Sequence, residues 1–529
     1  MDAAAQPECL PQSARFALFD RLSGPFLPLR PADVHLYRIC DDLSEVLVYL
    51  MVIFSPWAFG TTQPWSIWIM NAVGYLLGGL LTIKLSVRWL KGYRPPRWGG
   101  EPGRAQAGSP RLRPPPHSWF VATLASLTVA IVVFHLISAL NARATYHRDK
   151  LSFEYHPCVQ WLPHSLDGNR TWFAFWSCLG LACSFWAVRD WLLGKSSGEE
   201  RAEHRKTGSW ATDAAPFLPA RLRRLLWVLS LNGALLAVEG IAQRLEGSGK
   251  LLFLVKPRVN PDAVTQFGPY AYRANAAQYF NLLWPVTLGF WWIAHRAAGL
   301  KRKAHHLLLL GGTIMAACPS ISTSRGGALI TVGIAALAAV LLFTTHFAFV
   351  VRKKRDRRTQ VLTFALLTLF FAAALALGYS LGWKALKPRL TQINEGFAGR
   401  ARMSELARPM AADYPLFGTG PGTFEPVFQL YRGSTKTYWP AQLHNDWLET
   451  RITLGWAGSS LVGLALVTVF LRWFGRGGIH AGRRFVFLLW LALAGCLVHA
   501  RFDFPFQIHS IVFLFLIVCA VLFDLSRRR

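Results

Sequence analysis

Residues 327–358 read GALITVGIAALAAVLLFTTHFAFVV and then RKKRDRR, and this change from an apolar run to a basic run decides the fold. An apolar run of about 18 residues or more is long enough to cross a bilayer as a helix. Lipid offers no hydrogen-bond partner to an open strand, so a helix is the backbone form that fits such a run. The basic run after it predicts that this end of the helix lies on the cytoplasmic side.

Similar apolar blocks recur along the whole chain. Hydrophobic residues make up 53% of the 529 residues, whereas charged residues make up only 16%. The blocks predict an all-α integral membrane protein with about 12 transmembrane helices, of which the seventh and eleventh are short. The blocks are centred on Leu43–Gly60, Ser66–Val87, Trp119–Leu140, Thr171–Leu193, Leu225–Ala242, Ala276–Ala298, His306–Ile321, Gly327–Val351, Gln360–Gly382, Leu448–Phe470, Phe485–His499 and Gln507–Phe523.

Basic residues concentrate in every second loop, so that they lie on one side of the predicted membrane. With the N-terminus inside, every internal loop is rich in lysine and arginine, as the positive-inside rule requires. These internal segments are Arg88–Ser118, Gly194–Arg224, Arg296–His305, Arg352–Thr359, Arg472–Arg484 and the tail Arg527–Arg529. The net charge of +29 is therefore an orientation signal that also favours anionic membrane lipid, and nucleic acid is a poor alternative partner.

This pattern divides the chain into four parts. Residues 1–42 form a cytoplasmic N-terminal segment, and residues 43–383 contain helices one to nine. Residues 384–447 form a large hydrophilic loop on the outer side, between helices nine and ten. Residues 448–529 contain helices ten to twelve and a basic cytoplasmic tail.

Three basic residues fall at membrane borders on the outer side, against the positive-inside pattern. They are Arg273 before the sixth block, Arg325 before the eighth and His444 before the tenth. A guanidinium matches a phosphate oxyanion, and the paired glycines Gly326 and Gly327 would let backbone N–H groups approach the same anion. Histidine is the side chain that ordinarily exchanges a proton near neutral pH. The set predicts a site for an anionic, lipid-anchored substrate.

Each of these features also has a simpler interpretation. A single arginine at a helix end is most often a lipid headgroup anchor, and a single histidine at a loop–helix border is most often structural. Asp446 could cap the tenth helix. The glycine-rich run Gly418–Gly422 has neither a lysine after it nor a strand before it, so an ordinary turn is favoured over a phosphate loop.

Four short motifs stand in order in the second half of the chain. They are Ser324-Arg325-Gly326-Gly327; Arg402 followed by Tyr414-Pro415-Leu416-Phe417-Gly418-Thr419-Gly420-Pro421-Gly422-Thr423-Phe424; His444-Asn445-Asp446-Trp447-Leu448 with Leu454-Gly455; and Asp503-Phe504-Pro505. With these motifs the chain resembles the O-antigen ligase/polymerase superfamily of bacterial envelope glycosyltransferases. The resemblance extends from about Phe267 to Phe506, although the segment before the sixth block departs from the family pattern and reads Arg273-Ala274-Asn275-Ala276.

The resemblance implies a fold akin to the GT-C glycosyltransferases in the bacterial inner membrane, with the active site facing the periplasm. It also implies transfer of a glycan from an undecaprenyl-diphosphate carrier to lipid A-core, a growing polysaccharide or a protein, with inversion. The sequence has no DxD motif and no Asp/His set at ligand spacing, which argues against a required metal ion, and no other cofactor is expected. The implied catalytic residues are His444 and Arg325. The implied diphosphate ligands are Arg325, Arg402 and Arg273, and the supporting residues are Gly326, Gly327, Asn445 and Asp503.

Two questions stay open at this level. His444 could act as a neutral base toward the acceptor hydroxyl or as a cation that holds the leaving diphosphate. A multi-span transporter, for example for bicarbonate or for polysaccharide export, is the alternative function. A transporter predicts polar groups deep inside the helices, whereas here they gather at the outer border.

Overall fold

The computed structural model describes residues 27–98, 118–200, 218–298, 304–352, 357–433, 441–472 and 482–525. The structure is 75% helical, and the described strands form one antiparallel hairpin, β1 (Ala144–His147) with β2 (Ser152–Tyr155). The predicted all-α, multi-span class is thereby confirmed. The segment Arg527–Arg529, predicted to be a cytoplasmic tail, lies outside the described residues.

Each of the twelve apolar blocks coincides with a helix. In chain order the described helices are α1 (Pro31–Trp57), α2 (Pro64–Leu90), α3 (Ser118–Leu140), α4 (Gly168–Leu192), α5 (Ala220–Glu246), α6 (Arg273–Ala298), α7 (His306–Ile321), α8 (Arg325–Arg352), α9 (Arg357–Thr391), α10 (Ile393–Asp413), α11 (Phe424–Phe428), α12 (Asp446–Leu471), α13 (Arg483–His499) and α14 (His509–Leu525). Among the described residues, seven helices are long and apolar enough to cross a membrane, namely α2, α3, α4, α5, α8, α9 and α12. The number of twelve spans stays a prediction.

Helix α6 lies at the centre of the bundle. It is buried along almost its whole length and packs against α5, α7, α8 and α13. Its large side chains Trp284 and Trp291 are fully buried in the main hydrophobic core. A helix enclosed in this way holds both of its ends in place, so Arg273 at its start and His295 near its close are fixed relative to the neighbouring helices.

The segment predicted as one large loop, residues 384–447, contains helices of its own. Helix α9 continues to Thr391, and α10 and α11 follow. They form a second small core in which Met410, Phe424 and Leu443 are buried with Ile452 of α12. The segment is hydrophilic in composition because its helices are amphipathic. Only one face of each helix is apolar, and the exposed face is polar.

The glycine-rich run Gly418–Gly422 packs against a break in α12. Gly455 has φ +63° and ψ −167°, values that interrupt the helix. The carbonyls of Ile452 and Thr453, freed by the break, accept hydrogen bonds from the amides of Thr419 and Gly420 at 2.9 and 3.0 Å. The run is therefore a structural turn, as the simpler interpretation predicted, and it fixes the first two turns of α12.

The two sides of the break are joined to the same loop. On the far side, the amides of Trp456 and Ala457 donate to the carbonyls of Pro415 and Leu416, both at 3.0 Å. A Cβ on Gly455 would lie 2.2 Å from the oxygen of Leu416, so only glycine fits.

We predict that Gly455→Ala destabilises the protein by about 3 kcal/mol or more, because it combines a left-handed φ with a backbone clash. Gly463→Ala is the matched control in the same helix, since a Cβ there meets nothing within 4 Å. The control should be neutral or slightly stabilising. Thermal unfolding of the two purified variants in detergent measures the difference, and equal melting temperatures would contradict the account of the break.

Candidate functional site

His444 lies in the loop just before α12 and pairs with a buried carboxylate. Its Nδ1 atom is 2.9 Å from Oδ1 of Asp503, which lies between α13 and α14. The His444 side chain is 19% exposed and the Asp503 side chain 4%. His444 has φ +57°, an uncommon backbone conformation that turns the ring toward Asp503. The pair leaves Nε2 as the ring nitrogen available to a substrate.

Asp503 is held by two further side chains, Arg400 and Tyr272. Arg400 donates from Nη2 to Oδ2 of Asp503 at 3.2 Å and to the hydroxyl of Tyr272 at 3.1 Å. Tyr272 donates its hydroxyl to the same Oδ2 at 3.2 Å. Burial by itself would raise the pKa of Asp503, but the hydrogen bond with His444 and the charge of Arg400 outweigh burial and hold the pKa below its usual value. Asp503 is therefore an ionised, oriented partner for His444.

Backbone contacts lock the loops that carry His444 and Asp503 together. The amide of Asp446 donates to the carbonyl of Ala500 at 2.8 Å, and its carboxylate accepts from the amide of Phe506 at 2.7 Å. Asn445 is the residue that caps α12, since its side chain accepts from the amide of Leu448. The interpretation of Asp446 as the cap is therefore wrong. Asp446 instead ties the start of α12 to the loop that contains Asp503.

The Ser324–Gly327 turn begins α8 beside this pair. The hydroxyl of Ser324 accepts from the amide of Gly327 at 3.2 Å, which is an N-cap hydrogen bond. The amide of Gly327 is thus bound within the turn, and its role toward an anion stays a prediction. A Cβ on Gly327 would lie 2.4 Å from Ala277, so this glycine allows α6 and α8 to pack closely.

Gly326 brings the turn close to a second histidine. A Cβ on Gly326 would lie 3.5 Å from Nε2 of His499, and that nitrogen is 3.9 Å from Oδ2 of Asp503. The start of α8, the end of α13 and the loop with Asp503 therefore meet at one place.

Five partly buried arginines gather at this end of the bundle. The set is Arg244 at the end of α5, Arg273 at the start of α6, Arg325 at the start of α8, Arg389 at the end of α9, and Arg400 in α10. They are close enough to interact: the charges of Arg389, Arg244 and Arg325 act on Arg273, and those of Arg325 and Arg400 act on Arg389. We call this set the arginine cluster.

Backbone carbonyls hold much of the arginine cluster. Arg325 donates from Nη1 to the carbonyl of Gln392 at 2.9 Å, and Arg273 donates to that of Val264 at 2.6 Å. Arg244 donates to the carbonyl of Gln266 at 2.9 Å. In the part of the chain that the structure describes, Arg400 is the member with a carboxylate partner, Asp503. Carbonyl dipoles orient these guanidinium groups without cancelling their charge, so the cluster can bind an anion of high charge.

The structure places the predicted residues unevenly around this site. Arg273, Arg325 and Asp503 lie with His444 at one end of the bundle, and Asn445 caps the adjoining helix. Arg402 is exposed on α10, and the neighbouring Arg400 is the residue that faces Asp503. The roles of all these residues stay predictions.

Sequence reasoning missed Arg244, Arg389, Arg400 and Tyr272. Arg244 and Arg389 could have been found by the criterion that identified Arg325, since each is a basic residue at the outer end of an apolar block. Arg400 and Tyr272 lie in hydrophilic segments, where no apolar pattern indicates which side chains face inward.

The fold and the site together define a multi-span helical protein with a cluster of arginines and an Asp–His pair at one end. Residues 310–463 match the family model for O-antigen ligase. This match confirms the resemblance of the chain to the O-antigen ligase/polymerase superfamily and covers Arg325, Arg402 and His444. Arg273 and Asp503 lie outside the matched range. No curated protein matches the chain.

We predict that Arg400→Ala lowers stability at neutral pH by about 2 kcal/mol, because it removes a charged partner from a buried carboxylate. Since the pKa of Asp503 is depressed in the folded protein, its stabilising contribution is present at neutral pH and is lost as pH falls through the folded pKa. The difference between variant and wild type should therefore persist down to about pH 4, the ordinary carboxylate pKa, and shrink only as pH is lowered further.

Arg402→Ala is the matched control, because Arg402 is exposed on the same helix. Melting temperatures of wild type and both variants across this pH range test the prediction. Equal losses in the two variants, or a loss that grows as pH falls, would show that Arg400 does not stabilise the Asp503 carboxylate.

Proposed function

We propose that this protein is an O-antigen ligase-like glycosyltransferase that moves a glycan from an undecaprenyl-diphosphate carrier to lipid A-core, a growing polysaccharide or a protein. The observation that carries the proposal is the Asp503–His444 pair beside the arginine cluster. Acid–base chemistry and anion binding are the two functions that such a transfer needs, because the donor already contains a good leaving group.

The arginine cluster would bind the diphosphate. Arg325 and Arg273 are the central candidates because they lie among the other positive charges, and Arg402 could approach from the exposed side of α10. Their positive charge would stabilise the negative charge that develops on the leaving oxygen as the bond to the anomeric carbon breaks. Fixed guanidinium groups supply this stabilisation directly, so the proposed reaction is independent of a metal ion.

His444 would act as the base. With Nδ1–H directed at the Asp503 carboxylate, the lone pair of Nε2 can accept the proton of the acceptor hydroxyl. The acceptor oxygen then forms a bond to the anomeric carbon on the side opposite the diphosphate, which inverts that centre. The cationic role is less favoured because the arginine cluster already supplies positive charge, and Asp503 is shared with Arg400.

We predict that His444→Ala lowers the rate of glycan transfer by about 10²–10⁴-fold. If His444 is the base, wild-type activity falls as lower pH removes the neutral base, and His444→Gln loses this dependence. The measurement is a reconstituted transfer assay with a purified lipid-linked donor. His35→Ala, exposed near the start of α1, is the control for loss of any histidine.

Two results would count against these assignments. Transfer by His444→Ala at the wild-type rate would leave the histidine as a structural residue. Wild-type activity that rises as pH falls would replace the base with a cation that holds the diphosphate. Failure of wild type with every lipid-diphosphate donor and acceptor class would contradict the proposed function itself.

The proposed site lies on the periplasmic face of the bacterial inner membrane. We predict that a cysteine replacing Glu405, exposed on α10, reacts with a membrane-impermeant thiol reagent added to the periplasmic side. A cysteine replacing Gly198, which is exposed after α4, should stay unlabelled until the membrane is permeabilised. Both are placed in a cysteine-free background, and the reverse labelling pattern would overturn the orientation and the periplasmic site together.

A further inference from the structure

Three histidines meet at the end of the bundle opposite the arginine cluster. His295 lies near the end of α6, whereas His305 and His306 lie at the start of α7. One ring nitrogen of each lies within 4.8 Å of those of the other two. His295 and His305 are 2% and 5% exposed. Three buried or partly buried imidazoles this close are uncommon unless they share a proton or a ligand.

The spacing of these nitrogens suits a metal ion. Nδ1 of His295 is 3.1 Å from Nε2 of His305. A tetrahedral zinc ion with Zn–N bonds of about 2.0–2.1 Å separates its ligand nitrogens by about 3.4 Å. The first pair is therefore already at nearly the required separation. Rotation of the His306 ring, which packs on His305 with ring centroids 4.1 Å apart, would bring in the third nitrogen.

A second contact sets the protonation of His295 for binding. Its Nε2 is 3.0 Å from the hydroxyl of Thr363 in α9, which can accept the Nε2 proton. This tautomer leaves the lone pair on Nδ1, the nitrogen that faces His305. Metal-binding histidines are commonly oriented in this way by a hydrogen bond from the other ring nitrogen. Trp291 stacks on the ring with centroids 5.1 Å apart and fixes its plane.

His306 supplies an independent indication that a ligand is expected. Its Nδ1 is buried and, among the residues that the structure describes, has no hydrogen-bond partner. A buried ring nitrogen without a partner carries a desolvation cost that a bond to a metal would remove.

We propose that His295, His305 and His306 bind a borderline transition-metal ion, Zn²⁺ or a chemically similar ion such as Cu²⁺ or Ni²⁺. Imidazole nitrogens select these ions over Mg²⁺ and Ca²⁺, which require oxygen ligands. The neighbouring basic residue Arg296 gives the cation no electrostatic help, so the bonds to nitrogen must supply the affinity. A water molecule would complete four-coordination.

The ion would act as a clamp between helices. It joins α6 to α7, and Thr363 links the site to α9. These helices also carry Arg273, the turn before Arg325, and Arg389 at their other ends. The site is therefore structural, at the opposite end of the bundle from the proposed glycan transfer, and it does not depend on that proposal.

The test uses full-length protein in detergent, purified without a polyhistidine tag and stripped with a chelator. Zn²⁺ is then added, and bound metal, melting temperature and calorimetric affinity are measured. We expect one equivalent of Zn²⁺ per chain, a raised melting temperature, and, with Co²⁺ in place of Zn²⁺, the visible absorption bands of a tetrahedral site.

His306→Gln should weaken Zn²⁺ binding at least tenfold, and Thr363→Val by about 10-fold or more through loss of the orienting hydrogen bond. His306 is partly exposed, so its variant tests binding with little risk to folding. His35→Gln is the control and should bind as wild type does. Wild type that binds no stoichiometric Zn²⁺, or His306→Gln that binds it as tightly as wild type, would overturn the proposal.

Discussion

The hydrogen bond between His444 and Asp503 is the contact on which the rest of the site depends. It joins the start of α12 to the loop between α13 and α14, two parts of the chain that are 59 residues apart. Burial of Asp503 makes its charge costly unless partners surround it, and Arg400, Tyr272 and His444 provide them. The same buried charge thus orients the histidine and recruits an arginine from α10.

Two structural devices support that contact. The break at Gly455 lets the glycine-rich loop fix the first turns of α12, and Asp446 binds those turns to the backbone at Phe506. The small core around Leu443 closes the loop from the other side. A helix that continued without a break through Gly455 would place His444 differently. The glycine-rich loop therefore helps to position the His444 imidazole.

The two ends of the bundle differ in the groups that accept hydrogen bonds from their basic side chains. At the end away from His444, Asp190 pairs with Lys84, Arg88 and Arg97. In the arginine cluster, carbonyls take much of that role, so positive charge is left for a ligand. The basic composition of the chain therefore has two parts: paired or loop charges that set orientation, and a smaller set that is held ready for an anion.

Much of the architecture could be predicted because long apolar blocks have few alternatives to helix. Arg325, His444 and Asp503 could be found since each stands in a short motif at the border of a block. Arg400 could not, because in a hydrophilic helix nothing in the sequence says which face meets Asp503. The three histidines were missed for a related reason: His295 and His305 are separated by a basic loop, and only the packing of α6 against α7 and α9 brings them together.

In the proposed reaction the arginine cluster binds the leaving diphosphate, and His444 accepts the proton of the acceptor hydroxyl. The most direct measurement is a cryo-EM structure of the protein with a non-transferable undecaprenyl-diphosphate glycan. The account predicts diphosphate density within hydrogen-bond distance of the Arg325 and Arg273 guanidinium groups, with the anomeric carbon facing Nε2 of His444. Diphosphate density away from the arginine cluster, or an anomeric carbon turned away from His444, would contradict it.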